Sequence, residues 1–511
     1  MPPRRAALLA ILTGIVAAAV ALASAELVAV FTGAGGGPLV AVGGFVIDIV
    51  PAGVKDATIA LFGTGDKLVL LLSLAFAVAL LAIAAGLLEF RRPPFGALLL
   101  VVVAGLGALA AVTREGATGL AAAPSIVGMV AGVLVLRTAA ARLRGWEQEP
   151  ARGGTDRRSF LRLVGVAGAA AVVVGVGARM ATAASAAVTA VREAVALPRA
   201  ASPAPAVPPT AVLDDVEGIS SFVTPNAEFY RIDTALSVPS VDPAEWSLRI
   251  HGMVEEEVVL TWDELLALPL EEHLVTLSCV SNEVGGDLIG TALWLGYPIR
   301  ELLARARPTA GADMVLSRSI DGFTASSPLD VLQDEGRASI LAVGMNGEPL
   351  PLEHGFPVRM VVPGLYGYVS ATKWVTELEV TTFADDLAYW STRGWSERGP
   401  IKVESRIDVP RQGQAVSAGT VAVAGVAWAP HTGISKVEVQ VDGGEWRQAR
   451  LAEAVTADTW IQWVLEWEAT PGDHVLSVRA TDSEGLVQTA DEARPAPDGA
   501  TGHHRRTIAV A

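Results

Sequence analysis

Cysteine is nearly missing from this chain: Cys279 is the single thiol among 511 residues, so no intrachain disulfide can form and no Cys-x-x-Cys redox or zinc pair exists. Histidine is scarce as well. Its seven copies, His251, His273, His354, His431, His474, His503 and His504, follow no His-Glu-x-x-His spacing, and the last two are a tail pair of the kind usually solvated. None lies in the first 200 residues, so the apolar segments found there cannot hold a bis-histidine haem, and no haem is expected in this chain. A phosphate loop, a Gly-x-Gly-x-x-Gly turn between strand and helix, and a Gly-x-Ser-x-Gly elbow are lacking. Cationic charge is short too. Against 54 Asp and Glu stand 38 Lys and Arg, a net of −16, which argues against nucleic acid as a partner.

In excess are apolar side chains, 51% of residues, with a mean hydropathy of +0.44. Five apolar runs, at 7–30, 68–88, 96–112, 121–136 and 163–184, are candidate transmembrane helices, the third and fourth short for a span. The stretch 38–63, broken by Asp48, Pro51, Lys55 and Asp56, reads as a re-entrant or interfacial segment rather than a sixth span. Residues 1–200 carry 17 Lys and Arg against 10 Asp and Glu, a net of +7, which leaves −23 for residues 201–511. The two parts therefore face different surroundings. With five spans, Arg4, Arg5, Arg91, Arg92 and the seven arginines from Arg137 to Arg162 fall on one side, which is then cytoplasmic. Everything after about residue 190 lies on the extracytoplasmic side of a bacterial cell membrane. Arg157-Arg158-Ser-Phe160-Leu161 ahead of a Gly/Ala/Val run resembles a twin-arginine export signal, a route for folded cargo; the plainer reading is that paired arginines obey the positive-inside rule.

The expected architecture is multi-domain: an all-α transmembrane bundle (1–190), an Ala/Pro linker (191–211), an α+β domain (212–385) and a β-sandwich of immunoglobulin type (399–511). The linker should be stiff and extended. Within the third part, "EWSLRIHG" and "EVVLTW" look like strands, and "WDELLAL" and "IRELLARA" look like helices. In the fourth, period-two strands such as "KVEVQVDGGEW" carry a hairpin turn at Asp442-Gly443-Gly444. The acidity of this outer part suits a cationic redox partner, or simply keeps an exported domain in solution.

A lone cysteine is ordinarily a small buried hydrophobe. Cys279, however, ends an apolar strand, Val-Thr-Leu-Ser-Cys, and opens a polar, glycine-rich loop before "ALWLGYPIRELL". That order of strand, thiol, polar loop and helix is similar to the molybdenum-binding segment of the sulfite oxidase family of molybdopterin-dependent oxidoreductases. A second match is "LAVGMNGEPLPLEHGFPVRMVVPGLYGYVSATKWV" at 341–375, which resembles the family's pterin-binding core. A third is "TPNAEFYRIDTAL" at 224–236, and Asp321 in "RSIDGF" matches a further polar contact. The likeness is strong over about 210–385 and looser over the sandwich, which looks like the family's dimerisation domain.

The resemblance implies molybdenum-molybdopterin as cofactor, with molybdenum bound through Cys279. It also implies that Asn226, Phe229, Tyr230, Arg231, Asp321, His354, Arg359 and Lys373 line the pterin, its phosphate or the reacting centre, Cys279 and Arg231 being the catalytic pair. Taken singly each residue has a duller explanation, such as a core phenylalanine or a turn histidine; their joint order is what carries the likeness. This chain departs from the sulfite-oxidising pattern after the thiol. Residues 280–287 hold Glu283 and Asp287 and no arginine, so carboxylates stand where an anion should be welcomed. The implied function is therefore two-electron oxo transfer on a small oxyanion, S-oxide or N-oxide, left open as to substrate and direction. Implied partners are a small-molecule substrate, an electron-transfer protein such as a c-type cytochrome or a quinone-linked membrane protein, the lipid membrane, and a second copy through the C-terminal domain. Two alternatives stand: a methionine-sulfoxide-type reductase fed by a quinol-linked membrane partner, and a non-catalytic membrane-anchored binding protein of the same fold.

Overall fold

The computed structural model describes every residue except 1, 33–36, 51–53, 55–57, 59, 60, 63–65, 114–118, 149–152, 182, 183, 236 and 237. Pro51, Lys55 and Asp56 of the proposed re-entrant stretch thus lie outside the described residues. The chain forms two compact units, residues 1–187 with 235–239, and residues 188–234 with 240–511.

The first unit is helical: α1 (Pro3–Thr32), α2 (Pro38–Ile49), α3 (Asp66–Arg91), α4 (Phe95–Val112), α5 (Ala123–Gln148) and α6 (Gly153–Ala181). Five of its helical segments are long and apolar enough to cross a membrane. By contrast α2, 12 residues at about 1.5 Å each, is too short to span. Helix α1 is the hub, packing on α3, α5 and α6. Small residues allow this close approach. A Cβ on Gly14 would sit 2.0 Å from Ala82 O, one on Gly86 2.1 Å from Ala10 O, and one on Gly128 2.4 Å from Ala21 O. At the end of α3 the buried Glu89 takes the Ala97 N–H of α4's first turn at 2.9 Å, while Arg144 of α5 caps the Glu89 carbonyl. The 121–136 run is corrected here: the helix continues to Gln148, because "RTAAARLRGWEQ" is rich in the strong helix formers Ala, Arg and Leu and holds no proline. The Arg157-Arg158 segment also lies on helix rather than loop; Phe160 is buried and meets Trp146 at 6.2 Å between ring centroids.

The second unit opens within α7 (Ala184–Ala194), which an extended segment follows. This is the Ala/Pro stretch read as a stiff, extended linker, and it is bonded to the α+β layers. Arg192 donates to Pro349 O and Leu350 O, Ala201 N–H to Leu270 O at 2.7 Å, and Glu272 N–H to Ser202 O at 2.8 Å. Backbone donors along an extended chain find partners on a sheet edge more cheaply than in a solvated rod.

Strands β1 (Ser247–Gly252), β2 (Val258–Thr261), β3 (Glu271–Ser278), β4 (Ile289–Pro298), β5 (Met314–Ser319), β6 (Thr324–Pro328), β7 (Ile340–Met345), β8 (Glu348–Pro349), β9 (Arg359–Val361) and β10 (Val375–Thr381) make two sheets, ordered β2-β1-β10-β5-β6 and β3-β4-β7-β8 with β9 beside β7. Helices α8 (Trp262–Leu266), α9 (Ile299–Ala306), α10 (Leu329–Gln333) and α11 (Gly367–Ser370) complete an α+β layer structure. Thr261 and Glu264 form a reciprocal capping box at the start of α8.

The sandwich follows: β11 (Glu404–Val409), β12 (Ala415–Val416), β13 (Gly419–Trp428), β14 (Ile434–Val441), β15 (Arg447–Gln448), β16 (Arg450–Leu451), β17 (Ile461–Ala469), β18 (Gly472–Asp482) and β19 (His504–Val510). They form sheets ordered β11-β13-β17-β16 and β12-β19-β18-β14-β15 around one core that includes Trp463, Trp467, Val437 and Ile508. Asp442 and Gly443, at φ 52° and 69°, turn the β14–β15 hairpin. The sandwich is bonded to the α+β layers: Thr276 N–H reaches Asp458 O at 2.9 Å, Trp460 N–H reaches Thr276 Oγ1 at 2.8 Å, and Arg406 donates to Gly286 O at 2.7 Å.

Candidate active site

Cys279 stands one residue beyond the fully buried end of β3. The loop after it is closed by Cys279 N–H on Leu288 O at 2.9 Å, and Asn282 Oδ1 receives Leu288 N–H at 2.9 Å. His504 and Arg406 of the sandwich back this loop; a Cβ on Gly285 would fall 2.2 Å from the His504 ring, so only glycine fits at φ 79°. Burial raises the thiol's pKa, while the Ser281 N–H, 3.4 Å from Sγ, and the charge of Lys373 pull the other way.

The cations come from three distant stretches. The turn at 351–357 leads into β9, and an isolated bridge pairs Arg359 with Lys373, so two positive side chains issue from adjacent backbone. Gly355 makes this possible: at φ 111°, its Cβ would stand 3.0 Å from that of Arg359 and 3.1 Å from that of Lys373. Lys373 Nζ donates to Asp233 Oδ2 at 2.8 Å and to Glu353 O at 3.2 Å, and the same Asp233 oxygen takes Arg231 Nε at 2.8 Å. Burial lowers the Lys373 pKa to about 8, with Asp233 opposing the shift. Arg359, 5% exposed, donates to His354 O at 3.2 Å and lies 4.9 Å from the centre of the Trp294 ring. Burial pulls its pKa down to about 10.

Aromatic rings frame the cluster. Phe229 stacks on Tyr230 at 5.2 Å and meets Trp294 and His354 edge-on at 5.7 and 5.6 Å, which makes it a core residue that orients the histidine. Asn226 is similarly committed: its amide bonds Met345 O, Glu348 and Asn346, and its carbonyl faces His354 Nε2 at 3.1 Å. The Tyr230 hydroxyl is held protonated, by burial first and then by the Cys279 charge. Asp321 is the outlier. It bonds its own turn, Phe323 N–H to Oδ1 at 3.4 Å, and that turn hangs from Trp374 through Ile320 N–H on Trp374 O at 3.0 Å. The structure therefore brings together Tyr230, Arg231, Cys279, His354, Arg359 and Lys373, uses Phe229 and Asn226 as bracing, and leaves Asp321 at the edge. Sequence reasoning missed Asp233, the carboxylate shared by two cations, and Tyr366, a buried phenol within the field of Cys279. Asp233 stands two residues from Arg231, but nothing in "YRID" tells a buried aspartate from a solvated one.

Arg359 has no carboxylate in ion-pair range among the described residues, and the Asn282 amide nitrogen is buried without a partner. A sealed guanidinium without a counter-charge and an orphaned donor beside a thiol fit an anionic, hydrogen-bonding ligand such as a pterin phosphate. No three His, Cys, Asp or Glu among the described residues converge as a metal site, so a metal held by Cys279 would draw its other ligands from the cofactor.

His354 gives the site a pH signature. Burial, then the Arg359 charge, holds its pKa down to about 4. The unfolded imidazole titrates near 6.5, so between pH 6.5 and 4 the unfolded chain binds more protons and stability falls with pH, by about 3 kcal/mol over the full window. The half-buried His504, also held to about 4, adds to this loss. The expected result is a melting temperature that drops across this range and a shallower drop in His354→Gln; an unchanged slope in the variant would place the loss elsewhere.

Residues 235–390 match the family model described as oxidoreductase molybdopterin binding domain, and residues 404–478 match bacterial Ig domain. Mitochondrial sulfite oxidase of Macaca fascicularis is 30% identical over 316 residues, 52% of this chain and 57% of that protein; the chain thus spans little more than half the length of that relative. The uncharacterized oxidoreductase YuiH of Bacillus subtilis is 32% identical over 158 residues, 31% of this chain and 76% of that protein. In fold, the structure is similar to the sulfane dehydrogenase SoxCD of Paracoccus pantotrophus, with a TM-score of 0.50 at 22% identity, covering 57% of this chain and 84% of that one. The α+β layers and the anion-ready thiol site thus define a molybdopterin-binding oxidoreductase fold joined to an Ig-like domain. The chain belongs to the sulfite oxidase family of molybdopterin oxidoreductases.

Proposed function

We propose that this protein is a membrane-anchored molybdenum-cofactor oxidoreductase that transfers oxygen, with two electrons, to or from a small oxyanion, S-oxide or N-oxide on the outer face of a bacterial membrane. The observation that carries this reading is the buried Arg359, which has no counter-ion among the described residues, set with Lys373 and Arg231 beside Cys279. In this proposal Cys279 is the protein's metal ligand, and His354, Arg359 and Lys373 hold the pterin and its phosphate. Bound there, the cofactor supplies the two-electron redox change and the oxygen exchange. The protein's own part is to bind, orient and exclude water: Phe229 fixes His354, Asp233 spaces Lys373 from Arg231, and the exposed Arg231 is the cation nearest an arriving substrate.

Glu283 and Asp287 are both exposed on the loop after the thiol, which favours an uncharged S- or N-oxide over a dianion. This supports the reductase reading. The five apolar helices support an anchor, the arginine distribution supports a cytoplasmic basic side, and Arg157-Arg158 supports export by the twin-arginine route. A redox partner outside the membrane and a dimer through the sandwich belong to the same proposal. The test is metal and pterin analysis of the full chain from a cofactor-competent host, followed by steady-state assays of sulfite oxidation and methionine sulfoxide reduction. Near-stoichiometric molybdenum with sulfoxide reduction is expected. A chain that binds no molybdenum would overturn the proposal.

A further inference from the structure

A line of hydrogen bonds ties the opening segment of the second unit to the histidine of the candidate site. Strand β8 is two residues long, because Pro349 and Pro351 bring no N–H to a ladder, so the carbonyls of Pro349 and Leu350 need donors from elsewhere. Arg192, in the last turn of α7 and with its side chain 15% exposed, supplies them. Its Nε donates to Leu350 O at 2.8 Å, its Nη2 to Pro349 O at 2.7 Å, and the same Nη2 lies 3.0 Å from Glu348 Oε2. Three acceptors around one planar guanidinium fix the chain where it leaves β8 for the turn at 351–357. From Glu348 the line continues inward. Its carboxylate takes the Asn226 amide, Asn346 Nδ2 holds Asn226 Oδ1 at 2.8 Å, and the Asn226 backbone carbonyl meets His354 Nε2 at 3.1 Å. A carbonyl only accepts, so Nε2 carries the imidazole proton; in the neutral ring that burial favours, Nδ1 is then an acceptor. An apolar grip runs beside the polar one. Val188 is buried in the cluster of Phe229, Trp294 and Phe356, with Val195 against it, and Phe229 is the ring that meets His354 edge-on at 5.6 Å.

We propose that residues 188–203 form a strap whose docking sets the tautomer and orientation of His354, with Arg192 as its positioning residue. That this serves the pterin rests on the reading that His354 contacts the cofactor. The strap touches no reacting atom. It acts through the Asn226 carbonyl, which fixes the ring proton on Nε2, and through the Phe229 ring, which fixes the imidazole plane. Farther along, Leu197 stands 2.8 Å from where a Cβ on Gly344 would fall, and Ser202 O takes Glu272 N–H at 2.8 Å, so the strap is held at both ends. An imidazole held this way presents Nδ1 to an N–H or O–H donor of the ligand with its rotamer freedom already lost. The coupling is reciprocal: a ligand bound at His354 also holds the strap down.

The test is Arg192→Gln in the full chain, read without and with cofactor. In chain from a cofactor-deficient host, nitrogen NMR of isotope-labelled histidine should show His354, assigned by its loss in His354→Gln, as one Nε2–H tautomer in the wild type. In Arg192→Gln the same signal should become a mixture of tautomers. In the loaded chain, pterin should leave Arg192→Gln at least about tenfold faster than wild type. It should leave the double variant Arg192→Gln/His354→Gln no faster than His354→Gln alone, because Arg192 acts only through the ring. A merely structural arginine would leave the His354 signal unmoved or give losses that add in the double variant, and either result overturns the strap. Should Arg192→Gln fail to fold, Glu348→Ala decides by the same two readouts, since it removes the link between Arg192 and Asn226. A wild type that holds no pterin would sink the cofactor reading instead. The cofactor-free spectra would still decide the strap, an unmoved His354 signal overturning it.

Discussion

Replacing Cys279 by serine is expected to abolish turnover, by a factor of at least about a thousand, or roughly 4 kcal/mol of lost barrier lowering, while leaving the fold intact. Serine is nearly isosteric, and the thiol's side-chain bond is a long one from Ser281 N–H, so little packing is lost. What changes is the donor. A buried thiol already has a raised pKa, yet a metal's charge suffices to displace its proton; a serine hydroxyl under the same burial resists ionisation far more and is a harder ligand. Molybdenum content should fall in step with activity. Unchanged metal and turnover in the serine variant would remove Cys279 from the site.

Arg359→Met should act with opposite signs on the empty and the loaded protein. In the cofactor-free chain the guanidinium is buried, has its pKa held down to about 10, and faces no carboxylate among the described residues, so its burial is a cost. A methionine of similar length should leave stability equal or higher by about 1–3 kcal/mol. In the loaded protein the same change removes a charge-assisted contact to an anion, worth about 2–3 kcal/mol, so pterin and molybdenum retention should fall roughly 30- to 150-fold. Melting curves of chain from a cofactor-deficient host, set beside metal analysis of loaded chain, measure the two effects. Destabilisation of the empty protein with retention unchanged would make Arg359 a structural residue.

Much of this protein is legible one residue at a time. The apolar helices declare themselves by run length, the strands of the sandwich by period two, and the proposed ligand segment by a single thiol leaving an apolar strand for a glycine-rich loop. Boundaries were less legible where two signals competed. Arg137 marks the end of an apolar run but not the end of a helix, because charge stops a membrane span without stopping backbone hydrogen bonding. The Ala/Pro stretch reads as a stiff, extended linker, and its sequence did not show that Ser202 bridges to Glu271 on a neighbouring strand's open edge.

Composition, run length and local pattern thus determined which segments are apolar, where Cys279 stands and which positive residues accompany it. Only the tertiary structure decided what those residues are worth. Asp233 becomes a shared counter-ion when Lys373, 140 positions away, closes on it, and Arg359 is buried with no carboxylate in ion-pair range among the described residues. Desolvation and pairing are properties of long-range contact, and the same side chain in water carries neither.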